Sequence, residues 1–371
     1  MSSPRVLSPE EINEVKELKQ RVQDLIPHLR DEYHKHDVHF VRYVRARDHN
    51  VEKAAEMFRK TINWRLANDV DHCLDKILPT NFNLDYPLHY TGRDKDGDVV
   101  GVLRVGKFDL RKNLDAGYRK EFMIYGMQSF DFGTNVTKSI STNDDYRFQT
   151  NIIADMDGFQ FGQFLSKEAI ELSLDIVRML ESNYPECLKS MVIVNAPKIF
   201  EILWALIRPL LTARSISKIS IYGSNKEKWK VKLRDEIDPD SLPSEYGGAI
   251  SYFPRAIYNR PSEVFPRFKM LPQEDLTTVV VPAGSTHDIS LDILAGATLC
   301  WNFKTEQYDI GFRIQFDNIE DVVPYSRVDS HIYLQKGMFT CEHTGKYTLI
   351  FDNTFSAFTS KTLQLAVQTY S

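Results

Sequence analysis

Apolar residues recur at helical spacing through the first part of the chain. Ser8 fits an N-cap, with Pro9 at the first helical position and Glu11 three residues after the cap, which is a capping-box pattern. The helix that this predicts carries an apolar stripe of Ile12, Val15, Leu18 and Val22. FVRYVRAR and VEKAAEMFRKTINWRL predict two further helices. Together these patterns predict a small helical module over residues 1–75.

Short apolar runs alternate with helical stretches from residue 76 to residue 250. A turn signal and a strand are predicted by GRDKDGDVVGVLRVG, and later strands by NIIADM, MVIVN and ISKISIY. The helical stretches between them include KEAIELSLDIVRML and KIFEILWALI. Continuous apolar strands that alternate with helices are typical of a largely parallel sheet covered by helices. We therefore expect an α/β domain here.

The last third of the chain has a different pattern. Residues 251–275 contain four prolines, which favours an extended linker. From residue 276 to residue 371, HDISLDIL, TLCWNF, DIGFRIQF, GKYTLIF and KTLQLAVQTY alternate apolar and polar positions with period two. Several short strands of this kind predict a β-sandwich.

Composition narrows the class of protein. The chain has 371 residues, of which 42% are hydrophobic and 26% charged, and its net charge of -5 argues against general nucleic-acid binding. The N-terminus lacks the basic start and apolar stretch of a secretory signal. The four cysteines, Cys73, Cys187, Cys300 and Cys341, are scattered without metal-ligand spacing. We expect reduced thiols in a cytoplasmic protein.

Catalytic and metal-binding patterns are weak. GxSxG, GxxxxGKS/T, GxGxxG and HExxH do not occur, so an enzyme and a cofactor are not expected. His34, His36 and His39 are close in sequence, but their spacing does not place them on one helical face. A solvated, irregular junction is the favoured interpretation there, and no metal is expected.

Two acidic segments have plain explanations as well. DKDGD, residues 94–98, begins like a calcium loop, but its glycine comes too early and no glutamate closes it. A tight turn at Asp96–Gly97 explains it better. Asp155 and Asp157 follow an apolar strand, where sites in α/β sheets often lie. Without a third ligand or a phosphate-binding loop, they support no catalytic prediction.

The segment NAPKIFEILWALIRPLL, residues 195–211, is apolar on every face. Between Ile199 and Ile207 only Glu201 is not apolar. A membrane span needs about 20 such residues, and Arg208 and Pro209 interrupt this one. A buried core helix is the simplest interpretation.

A basic stretch follows this apolar segment. Between residues 208 and 234 the chain has eight Lys or Arg against the single acid Glu227, a local charge of +7. This stretch is either a solvated face or a surface attracted to anionic lipids, where Trp229 would suit the interface. Strand and helix both fit KEKWKVKLR. With the missing catalytic motifs, these features predict a protein that holds an apolar ligand and meets membranes transiently.

Several motifs resemble a known family. YPE at 184–186, NAPK at 195–198, SKI at 217–219 and YGG at 246–248 occur in the order found in the CRAL-TRIO lipid-binding domain. FVRYVRAR and the helix after it resemble that family's N-terminal module. GKYTLIFDNTFSAFTSKTLQLAVQ resembles a GOLD domain, a β-sandwich of trafficking proteins.

The resemblance implies a lipid cavity closed by a mobile gate helix. The implied gate residues are Ile199, Phe200, Ile202, Leu203, Trp204, Leu206 and Ile207. Membrane docking is then expected through Arg208, Lys226, Lys228, Trp229 and Lys230. We expect Glu201 to face water when the gate is shut.

The resemblance also implies a headgroup site. In the family's phosphoinositide branch, a glutamate and a lysine hold the inositol phosphate, and they correspond to Glu186 and Lys218. A simple ion pair is the alternative interpretation. Arg47 matches a basic headgroup position and Ser215 a hydroxyl position, whereas Asp48 replaces a lysine and reverses a charge.

The implied ligand is phosphatidylinositol or an apolar isoprenoid such as tocopherol or squalene. Thr150 can replace a serine hydroxyl of the phosphatidylcholine site, but Ile152 replaces a threonine there. The expected protein is cytoplasmic, peripherally membrane-associated and not an enzyme. An adaptor that recruits a protein partner through the GOLD domain, with lipid as a cue, is the alternative.

Overall fold

The computed structural model describes residues 5–79, 82–142, 144–160, 162, 166–251 and 271–370. Most of the predicted linker, residues 252–270, lies outside the described residues. The described chain forms two compact units. The first contains the residues up to Tyr90 and Gly97–Trp229; the second contains Thr91–Asp96, residues 230–251 and the residues from Leu271 onward.

The first unit begins with a helical module, as predicted. Its helices are α1 Pro9–Arg21, α2 Glu32–Lys35, α3 Asp37–Arg45 and α4 Val51–Asn68. The capping box at Ser8 is confirmed, because the Ser8 hydroxyl accepts from the Glu11 amide and the Glu11 carboxylate accepts from the Ser8 amide. Val15, Leu18 and Val22 are buried, but Ile12 is 53% exposed, so its place in the buried stripe was wrong.

Five strands form one sheet in chain order. They are β1 Leu88–Arg93, β2 Val99–Leu103, β3 Thr150–Asp155, β4 Leu188–Val194 and β5 Ile219–Ile221. Strands β2 to β5 pair in parallel, which confirms the mainly parallel sheet. The helices of this region are α5 Phe82–Asp85, α6 Leu110–Asp115, α7 Arg119–Ser139, α8 Lys167–Asn183, α9 Phe200–Ile207, α10 Ala213–Ser217 and α11 Lys226–Glu236.

Three local predictions have clear outcomes in this region. The tight turn at Asp96–Gly97 is confirmed, and Gly97 has φ 86°. The strand predicted for ISKISIY was wrong in its first half, because Thr212 caps α10 by accepting from the Ser215 amide. KEKWKVKLR is helical and lies within α11.

The three clustered histidines do not form a solvated junction. His34 and His39 are 7% and 6% exposed, and their rings meet edge to face at 5.2 Å. His36 caps α3, since its Nδ1 accepts from the Val38 amide. The helices on both sides bury this segment, which the histidine spacing alone did not reveal.

The second unit contains two four-stranded antiparallel sheets. Their orders are β10-β9-β12-β7 and β11-β8-β13-β6. The strands are β6 Thr277–Val281, β7 Thr286–Ile293, β8 Thr298–Thr305, β9 Ile310–Phe316, β10 Glu320–Val328, β11 Gln335–Thr340, β12 Gly345–Asp352 and β13 Lys361–Tyr370. Phe303 of one sheet and Phe312 of the other have ring centroids 4.7 Å apart in a common core. The predicted C-terminal all-β architecture is confirmed.

Residues before the predicted linker also belong to the second unit. Trp301 donates from its indole to the Ser251 hydroxyl at 2.8 Å, and Gln335 donates to the Gly248 carbonyl at 3.1 Å. A side chain at Gly248 would lie 1.9 Å from the Leu242 carbonyl oxygen, and Gly247 has φ 94°. The YGG segment therefore requires glycine for its packing.

The remaining helices of the described residues are short 3₁₀ segments: Ile26–His28, Val70–Asp75, Val105–Lys107, Arg208–Leu210, Pro239–Ser241, Ser244–Tyr246 and Gln273–Asp275. Among the described residues, no helix combines the length and apolarity that crossing a bilayer requires. The four cysteines are free thiols, as predicted.

Candidate functional site

Helix α9 covers an apolar cluster inside the first unit. Phe200 and Leu203 are buried in that cluster, with Trp204 and Ile207 packed beside them. The sheet contributes Ala154, Met156 and Ile193, while α6, α7 and α8 supply Leu110, Leu114, Phe122, Tyr125, Ala169 and Leu172. The inner face of α9 is therefore part of the interior of the domain.

Three apolar side chains at the border of this cluster are only half-buried. Met191 of β4, Ile219 of β5 and Ile176 of α8 pack against the cluster but stay partly exposed. We call these three residues the chamber lining. Half-buried apolar side chains of this kind suit an apolar ligand.

The outer face of α9 is also apolar. Ile199, Ile202 and Leu206 are 37%, 52% and 43% exposed, and their spacing places them along one side of the helix. Glu201 is exposed as well. The all-round apolar sequence of α9 thus has two faces in different surroundings. The simplest interpretation, a wholly buried core helix, was wrong.

Glu186 and Lys218 lie together, as the resemblance implies. Lys218 donates from Nζ to Glu186 Oε2 at 2.9 Å, and Arg214 donates to Glu186 Oε1 at 3.3 Å. The side chains of Glu186 and Lys218 are 12% and 18% exposed, and that of Arg214 is 41% exposed. The Glu186 carboxylate can accept hydrogen bonds from ligand hydroxyls. The two cations beside it can bind a phosphate.

The backbone presents this carboxylate in an unusual way. Glu186 has φ 59°, a left-handed conformation that is rare for a residue with a side chain. The segment around it is tied down from behind, because Arg42 donates to the Pro185 carbonyl at 2.9 Å and Gln149 donates to the Glu186 carbonyl at 3.3 Å. Such outliers concentrate at functional sites.

The other predicted headgroup residues are distributed more widely. Ser215 lies in α10, next to the cluster in sequence, and its hydroxyl contacts that of Thr212 at 3.0 Å. Thr150 begins β3, and its amide donates to the Cys187 carbonyl, one residue beyond Glu186. Arg47 donates to the Ala46 carbonyl at 2.8 Å and contacts no side chain of the Glu186 cluster in the described part of the chain.

Arg214 is the cluster member that was not predicted from the sequence. It was counted only as one charge in the basic stretch. Its position four residues before Lys218 was the available signal, because residues with that spacing share one side of a helix.

Two of the predicted docking residues do not have the exposure that docking needs. Trp229 is 1% exposed, and Lys230 is 5% exposed with its ammonium 2.7 Å from Asp329. Trp229 and Leu233 are both buried on one face of α11, so packing, not a bilayer, explains the tryptophan. Their assignment to docking was wrong. Arg208, Lys226 and Lys228 are exposed.

Comparisons with known proteins identify two domains within residues 14–248. Residues 14–60 match the CRAL/TRIO N-terminal domain and residues 85–248 match the CRAL/TRIO domain. The chain therefore contains a CRAL/TRIO domain preceded by the CRAL/TRIO N-terminal domain. CRAL/TRIO domains are known for binding and transferring lipids.

Individual relatives agree with this family. A CRAL-TRIO domain-containing protein of Caenorhabditis elegans is 25% identical over 305 residues. The match covers 76% of this chain and only 41% of the length of that relative. The crystal structure of Sfh5 matches with a TM-score of 0.50 at 15% identity, over 63% of this chain and 85% of Sfh5, which shows the shared fold.

Another solved structure resembles this chain only weakly. The periplasmic lysozyme inhibitor PliG of Aeromonas hydrophila is 16% identical over 26% of this chain and 84% of its own, with a TM-score of 0.21. Likeness at that level does not identify a fold. The GOLD assignment therefore stays a prediction.

Proposed function

We propose that this CRAL/TRIO protein binds one hydrophobic lipid beneath α9 and exchanges it at a membrane surface. The observation that carries the proposal is the two-faced helix α9, whose inner face packs into the apolar cluster while its outer face presents apolar side chains to solvent. Lipid chains lose about 0.8 kcal/mol per CH₂ on entering water, so a protein chamber lowers the barrier to transfer.

The outer face of α9 suits the surface of a bilayer. Ile199, Ile202 and Leu206 would enter the interface, and Lys198 and Arg208 at the two ends of the helix are exposed and positively charged. Once these residues are in lipid, α9 gains contacts that compensate for leaving the interior. The membrane itself would then open the chamber.

The Glu186 cluster favours a ligand with a phosphorylated headgroup. Glu186 would accept hydrogen bonds from inositol hydroxyls, and Lys218 and Arg214 would bind phosphate. Phosphatidylinositol is therefore our first candidate ligand. A tocopherol-like or squalene-like isoprenoid is the second, and it would make no hydrogen bonds to the Glu186 cluster. The order of the three parts resembles that of supernatant protein factor, also called tocopherol-associated protein, a cytoplasmic protein that meets membranes peripherally.

Lipid transfer between vesicles tests whether the Glu186 cluster is needed for phosphatidylinositol but not for tocopherol. We expect Glu186→Ala with Lys218→Ala to lower phosphatidylinositol transfer by roughly tenfold or more, because hydrogen bonds to charged groups contribute about 1.5–3 kcal/mol each. Tocopherol transfer should be unchanged, since an apolar ligand makes no such bonds.

A matched control separates this effect from general damage. Glu11 and Arg45 form another ion pair of similar burial in the N-terminal module, with side chains 10% and 13% exposed. Removing both should leave the ratio of the two transfer rates unchanged. If the Glu186 and Lys218 variant loses both ligands equally, the pair is structural and the headgroup assignment fails.

A further inference from the structure

A polar cavity lies in the first unit, away from the apolar lining beneath α9. Its volume is about 30 Å³. Helices α3 and α4 contribute His39, Arg42 and Arg65, and the opposite wall contains Thr134 of α7 and Tyr184, the residue that follows α8. The cavity thus joins the N-terminal module to the CRAL/TRIO domain.

Arg42 is a buried charge without a carboxylate partner. It is 5% exposed, and its guanidinium donates to the Pro185 carbonyl at 2.9 Å and to the Cys187 sulfur at 2.7 Å. Burial raises the pKa of the Cys187 thiol, which therefore stays neutral and supplies no charge. Buried charges are normally paired, because an isolated one is costly. Arg42 meets no acid in the described part of the chain.

Arg65 adds a second guanidinium with spare donors. Its Nε and Nη2 bind Asp71, and Nη2 also donates to Asp131 at 2.9 Å. Asp131 is shared with Arg30, which donates to it at 2.7 Å. Nη1 of Arg65 has no acceptor among the described residues. The three guanidiniums therefore face only two carboxylates, and the lining has an excess of positive charge.

Tyr184 lines the same cavity and has an unsatisfied hydroxyl. The residue is 7% exposed, and its oxygen is buried without a hydrogen-bond partner among the described residues. Burial, with the Asp131 carboxylate, raises the pKa of this phenol well above its ordinary value, so the group stays a donor. Buried hydroxyls nearly always have a partner. The guanidiniums can only donate and the neutral hydroxyl can donate as well as accept, so one acceptor between them would satisfy all of these donors.

We propose that this cavity binds one small monovalent anion, of the size of chloride, through Arg42, Arg65 and Tyr184. A cavity of about 30 Å³ holds two or three water-sized particles, at about 10–15 Å³ each, so it favours a small anion. The anion supplies the negative charge that Arg42 lacks. Because Arg42 holds the Pro185 carbonyl, the anion also stabilises the segment that presents Glu186.

Thermal unfolding of the full chain tests the site in solution. Chloride is exchanged for gluconate at constant ionic strength, and the melting temperature should rise with chloride in a saturable way. Tyr184→Phe removes one donor and should raise the chloride concentration at half-saturation by roughly tenfold. Tyr118→Phe, at a residue 36% exposed and outside the cavity lining, serves as the control and should match the unmodified chain.

Bromide gives a direct readout that does not depend on any variant. Crystals grown in bromide should show an anomalous peak between Arg42, Arg65 and Tyr184, and Tyr184→Phe should weaken it. The proposal is overturned if the cavity holds ordered water alone, if chloride and gluconate stabilise the chain equally, or if phosphate binds there more tightly than chloride. None of these outcomes depends on lipid binding, so the lipid proposal stands or fails separately.

Discussion

At the scale of single residues, Glu186 combines a position in the candidate headgroup site with a left-handed backbone. Its pairing with Lys218 could be predicted from the YPE and SKI motifs, since motif spacing preserves which side chains meet. Its φ of 59° could not be predicted, because glycine and asparagine are the residues that indicate a left-handed backbone in a sequence. The left-handed backbone turns the carboxylate toward Lys218 and Arg214.

Substitutions at Glu186 should reveal the strain of that backbone. Both Glu186→Ala and Glu186→Gly remove the carboxylate, but only glycine accepts φ 59° without a steric cost. We expect the glycine variant to be more stable than the alanine variant by about 1 kcal/mol, the reverse of the usual order in loops. Urea unfolding of the two variants measures the difference. Greater stability of the alanine variant would show that the backbone at this position is unstrained.

The two docking residues that were wrongly assigned show that a charge pattern does not predict which side chains are exposed. The basic stretch is real, but charge alone does not say which lysines face solvent. Lys230 is buried against Asp329, whereas Lys226 and Lys228 are exposed. The i, i+4 spacing of Trp229 and Leu233 was the only sequence signal for this, and it competed with an equally good strand pattern.

At the scale of elements, the predicted segments are those with strong periodicity or a clear cap. Helix α1 and strands β3 and β4 are of this kind. Helix α7 was not predicted, because its sequence mixes aromatic residues with Gly126 and Gly133, which weaken helix propensity. Tertiary packing explains those glycines, since a side chain at Gly133 would lie 2.6 Å from the Tyr90 hydroxyl.

Helix α9 is the element whose behaviour the proposal depends on. Replacing Ile202 and Leu206 together with glutamate should reduce binding to anionic vesicles, because both side chains are exposed and would have to enter the bilayer. Folding should be little affected, since neither side chain is buried. Sedimentation with vesicles measures the binding.

Leu66 and Ile12 provide the matched control for this substitution. Leu66 on α4 is 54% exposed and Ile12 on α1 is 53% exposed, so Leu66→Glu together with Ile12→Glu adds the same two charges at similarly exposed residues. That variant should bind vesicles like the unmodified chain. Equal loss of binding in both variants would mean that added negative charge, not the face of α9, is responsible.

At the scale of the whole molecule, the second unit takes in more of the chain than the β-strands. Residues 230–251 pack with it through Lys230 to Asp329, Ser251 to Trp301 and Gly248 to Gln335. The proline-rich stretch predicted a linker from residue 251, yet Ser251 and the residues before it already pack with the second unit. A truncation at residue 276 would expose the partners of residues 230–251, so tests of the second unit need the full chain.

The central claim is that the chamber beneath α9 holds a lipid. Extraction of the purified full chain followed by mass spectrometry should find one co-purifying lipid, either phosphatidylinositol or an isoprenoid. Ile219→Trp fills the chamber lining and should abolish the lipid, whereas Ile12→Trp places the same side chain on the exposed face of α1 and should retain it. A folded protein that carries no lipid, or an Ile219→Trp variant that carries as much as the unmodified chain, would contradict the account.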